Sequence, residues 1–269
     1  LKKIKLNLIN HKELKFENNC NLKYPSFFNI YSKKAATHLI DGLILDQSTV
    51  LFKEEEELIQ YSYYVAGTVG LMMCDALNCE NQDAYLFAID LGIAMQLTNI
   101  ARDVLEDAKM GRRYIPGSWI DNISPNAMIR GVNDNNTEIF RTVSFGIKKL
   151  LNLADKYYYS GTQGLIFLPL KTRIAISIAS GVYRQIGIQL KLKNYCWYNG
   201  RQVTSNITKA KVTFFKIIEE FVRKVFHKKL DDNTYIPVNN AFHQLEKCTT
   251  SGSWVPLLSN NVNGEWIEA

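Results

Sequence analysis

The chain is poor in the residues that interrupt helices, with only 15 glycines and 6 prolines among 269 residues. Many short strands joined by tight turns would need more of both, so a β-sandwich or barrel is a poor fit. Cysteine and histidine are also scarce. The five cysteines (Cys20, Cys74, Cys79, Cys196 and Cys248) are odd in number and form no C-x-x-C pair. That argues against a zinc site and suits a reducing compartment. The four histidines, at positions 11, 38, 227 and 243, are too scattered for a metal cluster or a nucleophile triad. Long apolar runs are missing as well. Asp90, Gln96 and Asn99 interrupt the longest one, which falls short of the ~18–20 uninterrupted residues of a membrane span. The opening stretch "LKKIKLNLINHKELKFENNC" is basic but has no apolar core and no small-residue cleavage site, so it does not read as a secretion signal. With Leu1 in place of Met, the chain is expected to begin inside something longer.

What remains is 46% hydrophobic with a formal charge of +6 and a pI near 8.9. The mild basic balance fits an anionic partner: nucleic acid, phospholipid headgroups or a phosphorylated substrate. Nucleic acid is the least favoured, because the basic residues are not interleaved with aromatics on one face. Apolar periodicity predicts helices near 26–45, 53–79, 83–109, 137–160, 171–195 and 204–229, with turns at 78–83 and 116–126. The expected fold class is therefore all-α. Helical periodicity ends near Leu230, which divides the chain into a helical domain, 1–229, and a tail rich in Asn, Ser and Thr, 230–269.

The 83–109 segment has an unusual stripe. At ~100° per residue, Gln96, Asn99, Asp103 and Asp107 fall within an arc of roughly 80°, with Glu106 beside it. A solvated face is the simplest explanation. Against it, the preceding turns are apolar nearly all round, and the stripe holds amides and acids but no lysine. Carboxylates four residues apart repel unless something positive lies between them. A hard divalent cation such as Mg²⁺ would fill that role, shared with substrate phosphates. Lys109, Arg112 and Arg113 follow directly and could meet phosphate oxygens. On these grounds alone a metal–diphosphate site and a plain surface stripe both remain open.

The blocks "YSYYVAGTVGLMM" (61–73) and "LGIAMQLTNIARDVLEDAKMGRRYIP" (91–116) resemble the squalene/phytoene synthase family, on its phytoene-forming side. "YYYSGTQGLIFLP" (157–169), Arg173, "VYRQIG" (182–187) and "GRQVTSNITKAK" (200–211) follow in the family's order. The resemblance spans roughly 26–226. It implies an isoprenoid-synthase-type helical fold around a central cavity. It also implies head-to-head joining of two geranylgeranyl diphosphates through prephytoene diphosphate, as in carotenoid biosynthesis. Carried over residue by residue, Asp103 and Asp107 become ligands of Mg²⁺ (or Mn²⁺), assisted by Asn99, with Glu106 behind them. Tyr61 and Tyr183 match tyrosines near the diphosphate end of the cavity. Gln96, Arg102, Arg112, Arg173, Arg201 and Lys211 are the candidates for substrate contact. Gly67, Thr68 and Gly70 would let a prenyl chain or another helix approach closely.

The family's first Asp-rich motif is not found in 1–26, and Asp41 and Asp46 are not read as its substitute. The chain is thus expected to be an N-terminally incomplete member, with its activity alone left open. Two alternatives stand beside the phytoene-forming reading. One is a squalene or dehydrosqualene synthase using farnesyl diphosphate; the other is a non-catalytic assembly protein on the same fold. No nicotinamide cofactor is expected, since "VAGTVGL" is helical and not a dinucleotide-binding turn. A prenyl diphosphate substrate and an apolar product suggest cytoplasm, or a plastid in a eukaryote, with peripheral membrane contact.

Overall fold

The computed structural model describes residues 30–226 apart from 78, 80 and 82. Helix α1 spans Ile30–Leu45 and α2 spans Glu55–Ser62. A π-helical turn, Tyr63–Gly67, carries α2 directly into α3, Thr68–Ala76. The central helix α4, Asp83–Arg102, is followed after one residue by the short α5, Val104–Lys109. Beyond a 3₁₀ turn at Gly117–Trp119 come α6 (Pro125–Asn133), α7 (Thr137–Gln163), α8 (Leu170–Leu192) and α9 (Asn206–Phe226). There is no sheet among the described residues, only an isolated bridge between Leu51 and Arg113. The predicted tail 230–269, and the search for a first Asp-rich motif in 1–26, lie outside the described residues.

Helix α4 is long and apolar enough to cross a membrane by length and composition, yet 72% of its most apolar window is buried inside the protein. It is the axis of the core, and α3, α7 and α8 pack round it. Ile89, Ile93, Ala94, Leu97 and Ala101 on α4 meet Ile147, Leu150 and Leu151 on α7 in one hydrophobic cluster. Small residues set the helix separations. A side chain at Gly70 would come within 2.2 Å of the Ala88 carbonyl oxygen, and one at Gly92 within 2.4 Å of that of Ala66. Glycine at these places brings the π-turn and α3 against α4 backbone to backbone. Even the one acid in the middle of α4 is accommodated: Asp90, fully buried, accepts the Ser160 hydroxyl from α7.

Two departures from the predicted elements matter for the site. The single helix predicted over 83–109 is interrupted at Asp103, whose backbone (φ −102°, ψ 15°) leaves the helical region. Adjacent side chains diverge on a regular helix, so the bend is what allows Arg102 to grip Asp103 with two hydrogen bonds. Helix α6 lies where sequence periodicity predicts a turn and nothing helical after it. Its start is nevertheless encoded: the Ser124 side chain accepts from the Ala127 amide and Pro125 occupies the first turn, a common N-terminal signal.

Candidate active site

The site is built where three chain segments converge on the end of α4. Helix α5 closes with Gly111 at φ +74°. There the Gly111 amide bonds to the Ala108 carbonyl and the Arg112 amide to that of Asp107, at 2.9 Å each. This left-handed stop reverses the chain, and residues 112–118 run back along 50–53. Arg113 N–H donates to Val50 O (2.7 Å), Phe52 N–H to Arg113 O (3.2 Å) and Gly117 N–H to Phe52 O (2.9 Å). The loop after α1 is thereby fastened beside α5. Asp46, at the end of α1, accepts the hydroxyls of Tyr61 (2.9 Å) and Tyr114 (2.8 Å) on its two carboxylate oxygens. Those two rings stack at 4.9 Å, and Arg112 donates to the Asp46 carbonyl at 2.6 Å.

Asp103 and Asp107 sit at this junction, partly buried. Asp103 is held by Arg102 at 2.7 and 2.5 Å and by Arg201 at 3.0 Å. Its bond to Asp103 raises the pKa of Arg102, with further support from nearby Tyr183 and Asp107. Among the described residues Asp107 has no such clamp. Burial, followed by the negative charge of Asp103, raises its carboxyl from 3.8 to about 7; Arg112 opposes the shift, while Asp46 and Glu106 add to it. Four acids thus share one neighbourhood with too little positive charge for all of them. Burial likewise pushes the Tyr61 hydroxyl up, and that of Tyr114 up to about 12, so both remain proton donors at neutral pH.

One turn before Asp103 a cavity of about 360 Å³ opens. Val65, Val69 and Met73 form one wall, Ala88, Leu91, Gly92 and Met95 another, and Leu165, Leu168, Ile176 and Ala179 a third. Its polar groups are Gln96, Asn99 and Tyr183, at the end of α4 nearest Asp103. The Asn99 amide reaches Gln96 Oε1 at 3.4 Å. Among the described residues the side-chain oxygen of Asn99 is buried without a hydrogen-bond partner, as is Glu106 Oε2. Such orphaned oxygens are costly unless something positive or a donor meets them.

Among the described residues no cluster of three or more His, Cys, Asp or Glu side chains is arranged to hold a metal on its own. Two acids, an amide oxygen and neighbouring arginines nonetheless suit a cation that keeps water and shares substrate phosphates. The donor set fits Mg²⁺ on that basis.

The structure therefore brings Gln96, Asn99, Arg102, Asp103, Asp107, Arg112, Tyr61, Tyr183 and Arg201 to one region. Arg173 lies elsewhere, paired at 3.4 Å with the fully buried Glu220 of α9. Lys211 lines a second cavity, of about 520 Å³, between α7, α8 and α9. Arg113 faces inward and holds the backbone, donating to Phe52 O at 2.9 Å and Ile123 O at 3.3 Å, while Lys109 is exposed. Sequence reasoning passed over Asp46 and Tyr114. The i to i+15 separation of Asp46 from Tyr61 carries no periodic signal, and only the paired loops join them.

Comparison with known proteins decides the family. The squalene/phytoene synthase family model matches residues 28–212. The chain belongs to that family. A 15-cis-phytoene synthase of Pantoea ananas is 35% identical over 166 residues, covering 62% of this chain and 52% of the relative. A phytoene synthase of Pseudescherichia vulneris is 35% identical over 176 residues, 65% and 55% of the two chains. This member of the family thus spans about half the length of the curated relatives it matches. In fold it is similar to a dehydrosqualene synthase solved with a ligand, with a TM-score of 0.59 at 24% identity over 71% of this chain and 66% of that one. This likeness establishes the isoprenoid-synthase type of all-α fold.

Proposed function

We propose that this chain carries the chemistry of a phytoene synthase: two geranylgeranyl diphosphates are joined head to head with loss of diphosphate. The observation that carries this reading is an apolar cavity whose only polar end, Gln96, Asn99 and Tyr183, adjoins the acid pair Asp103 and Asp107. A Mg²⁺ ion held by Asp103, Asp107 and Asn99 would supply positive charge for the departing diphosphate. Arg102, Arg112 and Arg201 belong to the same group and would supply guanidinium charge to phosphate oxygens. The apolar walls exclude water from the allylic cation left behind, which would otherwise be quenched. Attack by the second substrate's double bond, with loss of a proton as the cyclopropane ring closes, gives prephytoene diphosphate; a second departure of diphosphate, rearrangement and loss of a second proton complete phytoene.

Cavity length can accommodate the twenty-carbon substrate. Wall residues on α4 run from Ala84 to Asn99, about 22 Å of helix rise. An extended geranylgeranyl chain, with bonds of about 1.5 Å, spans about 19 Å, and a farnesyl chain about 14 Å.

The test is to incubate the chain, alone and joined to the N-terminal region of a relative, with labelled geranylgeranyl or farnesyl diphosphate and Mg²⁺. Phytoene is the expected product. A C30 product alone would favour the squalene-type reading, and no product from either form, with no Mg²⁺-dependent binding of a diphosphate analogue, would reject catalysis.

A further inference from the structure

Two of the cysteines meet at the deep end of the cavity. The π-turn and α3 run antiparallel to α4, with Gly92 against Ala66 and Gly70 against Ala88. One turn further, Cys74 Sγ lies 4.0 Å from the Ala84 carbonyl oxygen, and Cys74 lines the cavity there with Leu77 and Ala84. Cys79 stands at the foot of the same wall, its Sγ 3.8 Å from the carbonyl oxygens of Asn81 and Phe167. Both are buried thiols. A main-chain bond ties them together: the Cys79 amide donates to the Cys74 carbonyl at 2.9 Å. With about 2.4 Å from a Cα to its own carbonyl oxygen and about 1.5 Å from N to Cα, that bond holds the two Cα atoms within about 6.8 Å of each other. Disulfides span Cα separations of about 4.4–6.8 Å, so the backbone already keeps the pair at bridging distance. The side chains meet as well. A hydrogen bond to Cys79, followed by burial, pushes the Cys74 thiol up, so Cys74 keeps its proton and lends it to the Cys79 sulfur.

We infer that Cys74 and Cys79 form a redox site, which a hydroperoxide closes to a disulfide that locks the floor of the cavity. Cys79 receives the Cys74 proton and is the less buried of the two, 9% against 4% exposed, so it is the attacking sulfur. It takes one peroxide oxygen as a sulfenic acid, the O–O bond breaks, and the other oxygen leaves as water with the thiol proton. The Cys74 sulfur then attacks the sulfenic sulfur, and the S–O bond breaks to release a second water with the Cys74 proton. The two thiols together give up two electrons and two protons, and the peroxide gains both. In a reducing compartment such a bond is transient and is reopened by other thiols, as in redox-sensing pairs. Closure joins the last turn of α3 to the chain ahead of α4, where the deep wall is made. The redox state of one thiol pair thereby sets how freely that wall moves, whether or not the cavity takes a prenyl chain.

The experiment treats the full chain with hydrogen peroxide, blocks the remaining thiols with N-ethylmaleimide in denaturant and digests with trypsin. Between Lys53 and Arg102 there is no other lysine or arginine, and the fragment 54–102 holds Cys74 and Cys79 but no other cysteine. Its mass therefore reports this pair alone. After peroxide the fragment should be lighter by two hydrogens and carry no maleimide, and dithiothreitol before blocking should restore a maleimide on each cysteine. Neither Cys74→Ser nor Cys79→Ser should give the lighter fragment. In the oxidised parent, hydrogen exchange at the Leu77 and Cys79 amides should slow by about tenfold. Maleimide on both cysteines at a peroxide dose that oxidises the half-buried Cys196 would overturn the site. So would oxygen retained on either sulfur in place of the lost hydrogens, or a bond from either to another cysteine. Equal exchange in the two redox forms would overturn the lock. None of these readouts depends on catalysis.

Discussion

Asp107 concentrates the electrostatic cost of the site in a single carboxyl group. Its pKa is raised from 3.8 to about 7 by burial and by Asp103, so the folded protein holds this proton more tightly than the unfolded chain does. The linked contribution to stability is therefore favourable at low pH and is lost as pH rises from about 4 through about 7. Discounted for solvent screening, the loss is about 2 kcal/mol. Urea melts without metal should show that fall, Asp107→Asn should flatten it, and Mg²⁺ with a diphosphate analogue should restore stability above pH 7 only in the parent. A slope unchanged in Asp107→Asn would place the titration elsewhere. Asp46 makes a separate prediction. It accepts two tyrosine hydroxyls at once, and an asparagine can accept only on its one oxygen. Asp46→Asn should cost about 1–3 kcal/mol by leaving one buried hydroxyl unmatched, and near-ultraviolet circular dichroism should report the loosened Tyr61–Tyr114 stack. The acid stripe on α4 and α5 could be read from sequence because four side chains share one helical face. Asp46 could not, since its partners are brought to it by backbone pairing between two loops, and pairing of that kind has no period.

At the level of elements, glycine explains how the cavity has a wall. Gly70 and Gly92 bring the α3 side of the protein onto α4 at backbone distance and also line the cavity, so close approach and hollow have one origin. In Gly70→Ala the new methyl would meet the Ala88 carbonyl at 2.2 Å, and backbone cannot move aside as a flexible side chain does. The expected outcome is a loss of about 1–3 kcal/mol together with weaker binding of a prenyl diphosphate analogue, measured by denaturant melts and calorimetry. An alanine variant as stable as the parent would show that α3 and α4 are free to separate. The long helices were legible from apolar periodicity because each buries one continuous face. The bend at Asp103 was not, because the contacts that accompany it are an ion pair between adjacent residues and a third partner, Arg201, almost a hundred positions away. Helix α6 was hidden for a different reason. It is short and its Ser-Pro start resembles a turn, and periodicity over nine residues is weak beside that local signal.

Across the whole molecule, the cavity ties the fold to the proposed substrate. Its wall on α4 runs from Ala84 to Asn99, so on the proposed reading each turn of that helix would mark off about 5.4 Å of prenyl chain. Ala88 lies on the wall between the deep end at Ala84 and the polar end at Asn99. A large side chain at that point would raise the floor without touching the acids. Ala88→Phe should therefore keep Mg²⁺-dependent binding of a farnesyl analogue and lose binding of the geranylgeranyl analogue by about tenfold or more, the cost of displacing several methylenes from the cavity. Isothermal titration with non-hydrolysable thiolodiphosphates of both lengths measures the two affinities independently of turnover. Equal losses for the two lengths would mean that the phenyl ring disturbs the diphosphate end, and no loss for either would mean that the prenyl chain does not run along α4. The ratio between the two affinities therefore tests whether helix rise is the measure of substrate length, even if the chain turns nothing over by itself.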